Sequence, residues 1–508
     1  ELVEIFGKPG VGTTDYHYET WYAASNFLSY GGKLDVVRSV GGDLNTANVA
    51  VGLANTTLLL EGLEDYNNNQ ADDTNWYFAA KNPGHWAENI KVAIIDNAAD
   101  QVITPTLESG TIAATKVGFG VTQALTGNTI GVGTVTAATG ILKGVVTGKT
   151  ATTIDVKVVS TVIDGTETLV EYQRNSQFEF KTGTTLNIVN NSGTTSAFGS
   201  TISSVDWYNQ QNILTSVADG GSDFTTIKWR AVLNKPKTNN YVSKRDGTND
   251  ALHVVVIDAG GGVTGDVGSI LEKFANLSKA KDGVTSGNKS VFYKDFLAEN
   301  SEFIFSGAHV TQADDAHHGT LVLPSGFANT GFTSISQAAG SWGQDAKNIK
   351  FSSIGNQGYN LTGGLDYTGV GVYDAPLGDV LNSYDKFADP VDSDIRFLLQ
   401  GGCSGTKEEE QAKANKLIQL AEGRKDCVAV ISPNRDSVVN VTDSATQLTN
   451  VLSFFGPLTS SSYVVFDSGF QYVYDRFNKK FVYMPCSADV AGCMVRTDRD
   501  FFPWFSPA

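Results

Sequence analysis

Three short stretches of this 508-residue chain carry residue types from which chemistry could be built. Gly401, Cys403 and Gly405 form G-x-C-x-G where a strand should turn into a helix, the setting of a nucleophile elbow with a thiol as nucleophile. Such an elbow needs a histidine base downstream, and the last histidines of the chain are His317 and His318, so the usual order cannot be completed. "ADDAHHGT" brings Asp314, Asp315, His317 and His318 within five residues, a donor set that could hold a metal. Adjacent residues on one loop rarely converge on one ion, and no HExxH accompanies them, so a solvated loop is the expectation. Gly260, Gly262 and Gly265 satisfy G-x-G-x-x-G after an apolar strand, as a dinucleotide site requires. Ser269 and Glu272 have the spacing of a capping box, which starts the following helix well after the last glycine and leaves the glycines as a solvent turn. No lysine stands where a phosphate loop needs one. His85, His253 and His309 are isolated, so no catalytic residue, cofactor or metal is expected.

The elements that would position these groups follow from periodicity. A helix is expected over residues 16–30, with Trp21, Ala24 and Leu28 on one face and Gly31-Gly32 ending it. The strand "KLDVVRSV" should follow, and two further strand runs flank Pro83-Gly84. From 105 to 206 the composition turns to Thr, Val and Gly in short runs bounded by Gly or Asn, the spacing of a small all-β barrel or sandwich inserted in mixed surroundings. Residues 395–432 read as a βαβ unit with parallel strands: a strand over 395–399, a helix begun by a Thr406/Glu409 capping box and stopped at Gly423, and a strand over 427–432. "FQYVYDRFNKKFVYMP" alternates on both sides of Asn478-Lys479 as a hairpin does, and Ser487 can cap a helix carrying Val490, Ala491 and Met494.

Length and charge bound the function. A chain this long exceeds one core, and about three domains are expected. A formal net charge of −17 argues against a nucleic-acid partner, which demands clustered Lys and Arg. Four cysteines, none in a CxxC pair, do not make a disulfide framework. No apolar run approaches the ~20 residues of a bilayer span, so no membrane insertion is expected. Glu1 follows no Met and no leader, and a start upstream is expected. The closing "MVRTDRDFFPWFSPA" gathers Phe501, Phe502, Trp504 and Phe505, which either pack inward or continue into something that covers them.

The stretch "YDRFNKKFVYMPCSADVAGCMVRTDRDFFPWFSPA" resembles the tail sheath proteins of contractile-tailed bacteriophages. The resemblance lies in a tyrosine-rich hairpin, Pro485, a small-residue helix with Asp489, Ala491 and Gly492, then Arg496-Thr497-Asp498, aromatics and Ser506-Pro507-Ala508. "FGKP", "NFLSYGGKLDVVR", "FAAKNPGHWAENIKV", "LHVVVIDAGGGVTG", "LTGGLD" and "GRKDCVAVISP" are similar to the same family in the same order, weakest over 105–206.

The resemblance implies an α+β, mixed α/β multidomain subunit. Its core would be 1–73 with 361–508, its middle α/β domain 74–104 with 207–360, and its inserted β-rich outer domain 105–206. It implies that 260–265 is a hairpin turn and 401–405 a crossover loop, and that an arm precedes Glu1 and a further region follows Ala508. It also implies a helical homopolymer in the virion, assembled in the host cytoplasm around a tail tube protein. Baseplate and tail terminator proteins would be further partners, and contraction would drive the tube through the host envelope. Charged residues Arg424, Lys425, Arg435, Asp436, Arg496, Asp498, Arg499 and Asp500 are the candidates for contacts with other subunits or the tube. Two alternatives belong to other classes: a host-surface or glycan-binding virion module, and a hydrolase using Cys403.

Overall fold

The computed structural model describes residues 2–506 apart from 10–15, 17, 43, 52–56, 72–74, 97–98, 106–114, 116–118, 126–128, 131–132, 135–139, 150–152, 174–175, 183–184, 190–194, 199, 205–212, 214–226, 311–341, 350, 352–355, 368–374 and 503. The histidine pair of "ADDAHHGT" therefore lies outside the described residues. Helices and several sheets mix along the chain, as an α+β multidomain protein requires. Two compact units form, one from Glu1–Asp43 with Tyr367–Ala508 and one from Leu44–Asp366, so residues 44–73 and 361–366 fall in the second.

In the first unit, helix Tyr18–Ser29 buries Tyr18, Tyr22, Ala23 and Phe27 and ends before Gly31, whose φ of 91° no side-chain-bearing residue adopts cheaply. A parallel three-stranded sheet follows the order Phe397–Leu399, Val428–Ile431, Val464–Phe466. Helix Lys407–Arg424 connects the first two strands. Its Thr406 hydroxyl accepts from the Glu409 N–H and the Glu409 carboxylate accepts from the Thr406 N–H, the expected box. The helix closes one residue beyond Gly423's neighbour Arg424, with Lys425 itself in the left-handed cap at φ 62°. Leu417, Ile418 and Ala421 bury against Ala429 and Ile431.

Strands Phe470–Asp475 and Lys480–Pro485 pair antiparallel as the expected hairpin. Helix Ser487–Asp500 then packs Ala488 and Ala491 onto Ala23, Phe27 and Val430. A side chain at Gly492 would stand 2.2 Å from the Tyr30 ring, so glycine is what allows this helix its close approach. Ser487 does not cap the helix but begins it; its N–H donates to the Ser432 hydroxyl at 3.0 Å.

One expectation in this unit fails. "KLDVVRSV" joins no ladder among the described residues, its backbone making no hydrogen bond across to another described strand.

In the second unit, four antiparallel strands lie in the order Ser269–Ser278, Ala251–Asp258, Ile90–Ile95, Asn356–Asn360. The helix expected from Ser269 is thus the strand Ser269–Ser278. Its apolar positions mimic a helical spacing, but pairing with Ala251–Asp258, buried throughout, overrides local preference. Glu272 caps nothing on its own segment: its carboxylate accepts from the Ser301 hydroxyl and the Glu302 N–H, each at 2.6 Å. Residues 260–268 are the loop of this hairpin, closed by Asp258, whose carboxylate accepts from the N–H groups of Val263 and Thr264 at 3.0 and 2.7 Å.

A second sheet of Asn48–Ala50, Trp76–Ala80 and Ile304–Ser306 completes this core around Phe78, Val254 and Leu297. Between Gln101 and Ser204 lies the β-rich segment, among the described residues an eight-stranded antiparallel sheet with seven strands on one path and Thr166–Leu169 paired off it to Ile154–Ile163, beside a short separate pair, Thr129–Ile130 with Gly133–Thr134. Its strand Ile154–Ile163 alternates, burying Ile154, Val156 and Val158. Its first and last strands, Gln101–Pro105 and Ser200–Ser204, are paired neighbours, with Gln101 opposite Ser204.

Candidate interface surface

The crossover at Cys403 is wired shut. The Cys403 N–H donates to the Glu19 carboxylate at 2.9 Å, the Gly405 N–H and Gln400 amide donate to Glu410 at 2.9 Å each, and Lys413 donates to the Gly402 carbonyl at 2.5 Å. Burial drives the thiol far above its ordinary range, with Lys413 beside it pulling the other way. A nucleophile requires the opposite environment, and the reading of Cys403 as a catalytic residue is set aside. Among the described residues no group of three or more His, Cys, Asp or Glu could hold a metal, and no helix is long and apolar enough to cross a membrane.

The eight charged candidates all lie in the first unit and divide into two sets. Arg424 is satisfied internally. It donates to Asp426 at 2.9 and 3.0 Å, to the carbonyls of Phe387, Asp389 and Ser393, and to the Ser393 hydroxyl, and its side chain is 1% exposed. The hydrogen bonds from Arg424 hold the Asp426 carboxyl below its usual range. Arg435 is buried as well, paired with Glu19 and lying 4.3 Å from the Tyr16 ring. Burial raises the Glu19 carboxyl, against the Cys403 N–H and the Arg435 charge, which favour its ionised form.

Lys425, Asp436, Asp498, Arg499 and Asp500 are exposed, and Arg496 is half-buried, its guanidinium 5.6 Å from the Tyr30 ring. Arg499 bonds its neighbour Asp500 at 2.7 Å and the Tyr30 carbonyl at 3.2 Å. Arg496, Asp498, Arg499 and Asp500 therefore share the last turns of one helix, whereas Asp436 sits on a separate short turn, Arg435–Ser437.

Two aromatic surfaces accompany these charges. Phe501, Phe502, Trp504 and Phe505 are all more than half exposed, with Phe502 and Trp504 stacked at 4.7 Å. The hairpin presents Tyr472, Tyr474 and Phe481 to solvent, their rings 5.2 Å apart in sequence of contact, while Val482 and Met484 on its other face bury against Tyr18 and Tyr22. Sequence reading placed the hairpin but not its exposed face. The signal was present, since Tyr472 and Tyr474 alternate with Val473 and Tyr472 lies opposite Tyr483. Among the described strands the hairpin pairs only with itself, so neither of its edges carries a further described strand.

With buried ion pairs behind the glycine turns, the hairpin and the exposed aromatics form part of the apolar surface of this unit among the described residues. The chain is similar to the tail sheath protein of Enterobacteria phage T4, at 28% identity over 278 residues, which are 53% of this chain and 38% of that protein. It is similar to the tail sheath protein of Salmonella phage ViI, at 24% over 313 residues (60% and 40%), and to that of Vibrio phage KVP40, at 23% over 209 residues (38% and 29%). The matched part spans two-fifths or less of each relative's length. No protein-family model matches the chain.

Proposed function

We propose that the protein is a structural subunit of a contractile phage tail sheath, a virion component that polymerises helically around a tail tube. The observation that carries this reading is the self-paired hairpin Phe470–Asp475/Lys480–Pro485 with its exposed aromatic face, in a chain similar to tail sheath proteins. A helical polymer needs heterologous contacts, one patch meeting a different one, so that growth does not close. Strands added to an open edge supply such contacts through main-chain hydrogen bonds, and they persist while folded bodies rotate about them.

Exposed Lys425, Asp436, Asp498, Arg499 and Asp500 are the charged groups free to change partners between an extended and a contracted lattice, or to meet the tube. Arg424 and Arg435 serve the subunit's own interior. Contraction consumes no nucleotide in this reading; the energy is held at assembly as a metastable packing behind a barrier. Assembly takes place in the host cytoplasm, with tube, baseplate and terminator proteins as partners, and the β-rich 105–206 segment faces outward. Electron microscopy of the natural polypeptide tests the reading. Long regular tubes are expected, and dispersed particles at every salt and protein concentration would refute it.

A further inference from the structure

The sequence Gly31-Gly32-Lys33-Leu34-Asp35-Val36-Val37-Arg38-Ser39-Val40-Gly41-Gly42 places a strand-forming octapeptide between two glycine pairs. Residues 32–41 make no backbone hydrogen bond to any other described residue. Across from them lies a second unpaired edge. Among the described residues Phe397–Leu399 is the outer strand of the parallel sheet and pairs on one side, with Val428–Ile431. Between the two runs lies a cavity of about 1010 Å³, bordered by every residue from 32 to 37 on one side and from 394 to 401 on the other. Both runs alternate along it, with Leu34, Val36, Ile395, Phe397 and Leu399 interleaved with Lys33, Asp35, Asp394 and Arg396. Leu34 already packs on the same cluster as Phe397 and Leu399.

We infer that residues 33–40 are a strap with two positions: the unpaired one described, and one in which the strap adds to the Phe397–Leu399 edge as a fourth strand and closes the cavity. The two rows of unpaired backbone groups are a template for pairing, and closure would also cover the half-exposed Val36. The ends are built to turn while staying tied. Gly31 has φ 91° beside Tyr30, whose carbonyl accepts from Arg499. At the other end Ser39 meets the Ser383 hydroxyl at 3.4 Å, and Gly42 has no atom within 4 Å of where a Cβ would stand. The motion stands on this geometry alone; its use as a two-position element during contraction rests on the sheath reading.

Disulfide trapping in the 508-residue protein tests the strap, because a bond forms only when the Cβ atoms come within about 3.5–4.5 Å, and residues directly opposed on neighbouring strands, at about 4.5–5.5 Å, reach that range with a small shift. Val36→Cys is combined with Asp394→Cys or with Arg396→Cys, all exposed positions where the substitution leaves the core intact. The control combines Val36→Cys with Val391→Cys, which is 88% exposed and outside the strand. At least one test pair is expected to cross-link tenfold faster than the control under mild oxidation. In the cross-linked protein, amides 33–40 should exchange with deuterium at least tenfold slower than after reduction. Cross-linking no faster than the control overturns the proposal, and so does cross-linking without slowed exchange, since the strap would then be near the edge but not paired with it. Tube formation enters neither readout, so this proposal and the sheath reading fail separately.

Discussion

At the scale of single residues, the charges that matter most to this fold are the ones withdrawn from its surface. Arg435 and Glu19 are buried together although 416 positions separate them. Removing one partner strands the other charge, which costs about 3–5 kcal/mol, whereas replacing both with apolar residues of similar volume can be near neutral. Arg435→Ala is therefore expected to lower stability in urea unfolding by roughly that amount, and the double replacement Glu19→Leu/Arg435→Met by much less. A second hydrogen-bond chain runs inward from the half-buried Asp467, which accepts from the Ser432 hydroxyl at 2.6 Å, to the Ser487 N–H at the start of the last helix. Burial raises the Asp467 carboxyl from 3.8 to about 6. The folded state thus holds a proton there that the unfolded chain has released, and this group's contribution falls as pH rises from about 4 to about 6, then levels off. Asp467→Asn is expected to flatten that part of the stability profile and to raise stability at pH 8 by up to about 2 kcal/mol, measured by urea unfolding across pH.

At the scale of elements, local signatures succeeded where their chemistry was local. The Thr406/Glu409 box is satisfied within its own turn, and Thr406→Ala should cost about 1 kcal/mol while Thr406→Ser costs little, as thermal unfolding would register. The Ser269/Glu272 pair has the same spacing and a different fate, because Glu272 serves a turn 29 and 30 positions away that no local rule can see. Arg435 reads as a surface charge for the same reason, its partner being distant in sequence. The βαβ unit and the hairpin were legible because periodicity and turn residues agree with burial. The strap was legible as a strand in propensity and not in pairing. On the hairpin, Tyr474→Lys with Phe481→Lys alters exposed side chains and should leave the melting temperature nearly unchanged while abolishing tubes in electron micrographs. Undiminished polymerisation would remove the hairpin face from the interface.

At the scale of the whole molecule, the β-rich segment begins and ends on paired strands, so its two ends lie about 5 Å apart. Replacing residues 102–203 by a short Gly/Ser linker is expected to leave a folded protein that still assembles, checked by sedimentation and microscopy. Loss of assembly with the rest of the fold intact would place that segment in the polymer contacts.

The first unit is built from two segments more than 300 residues apart, Glu1–Asp43 and Tyr367–Ala508, and this imposes an order on synthesis. Helix Tyr18–Ser29 emerges from the ribosome early, yet its packing partners Ala488 and Ala491 and the Asp489 carboxylate that binds Asn26 arrive 463 residues later in the last case. At ~5–20 residues per second that is a wait of roughly half a minute to a minute and a half. Meanwhile Leu44–Asp366 can complete its own core. A ribosome that stops short, or a protease that clips the last helix, yields a chain whose first unit never closes. On the sheath reading, only chains made past residue 500 can present the hairpin and the helix-end charges together, so the discontinuous unit would screen out shorter ones before they join the polymer.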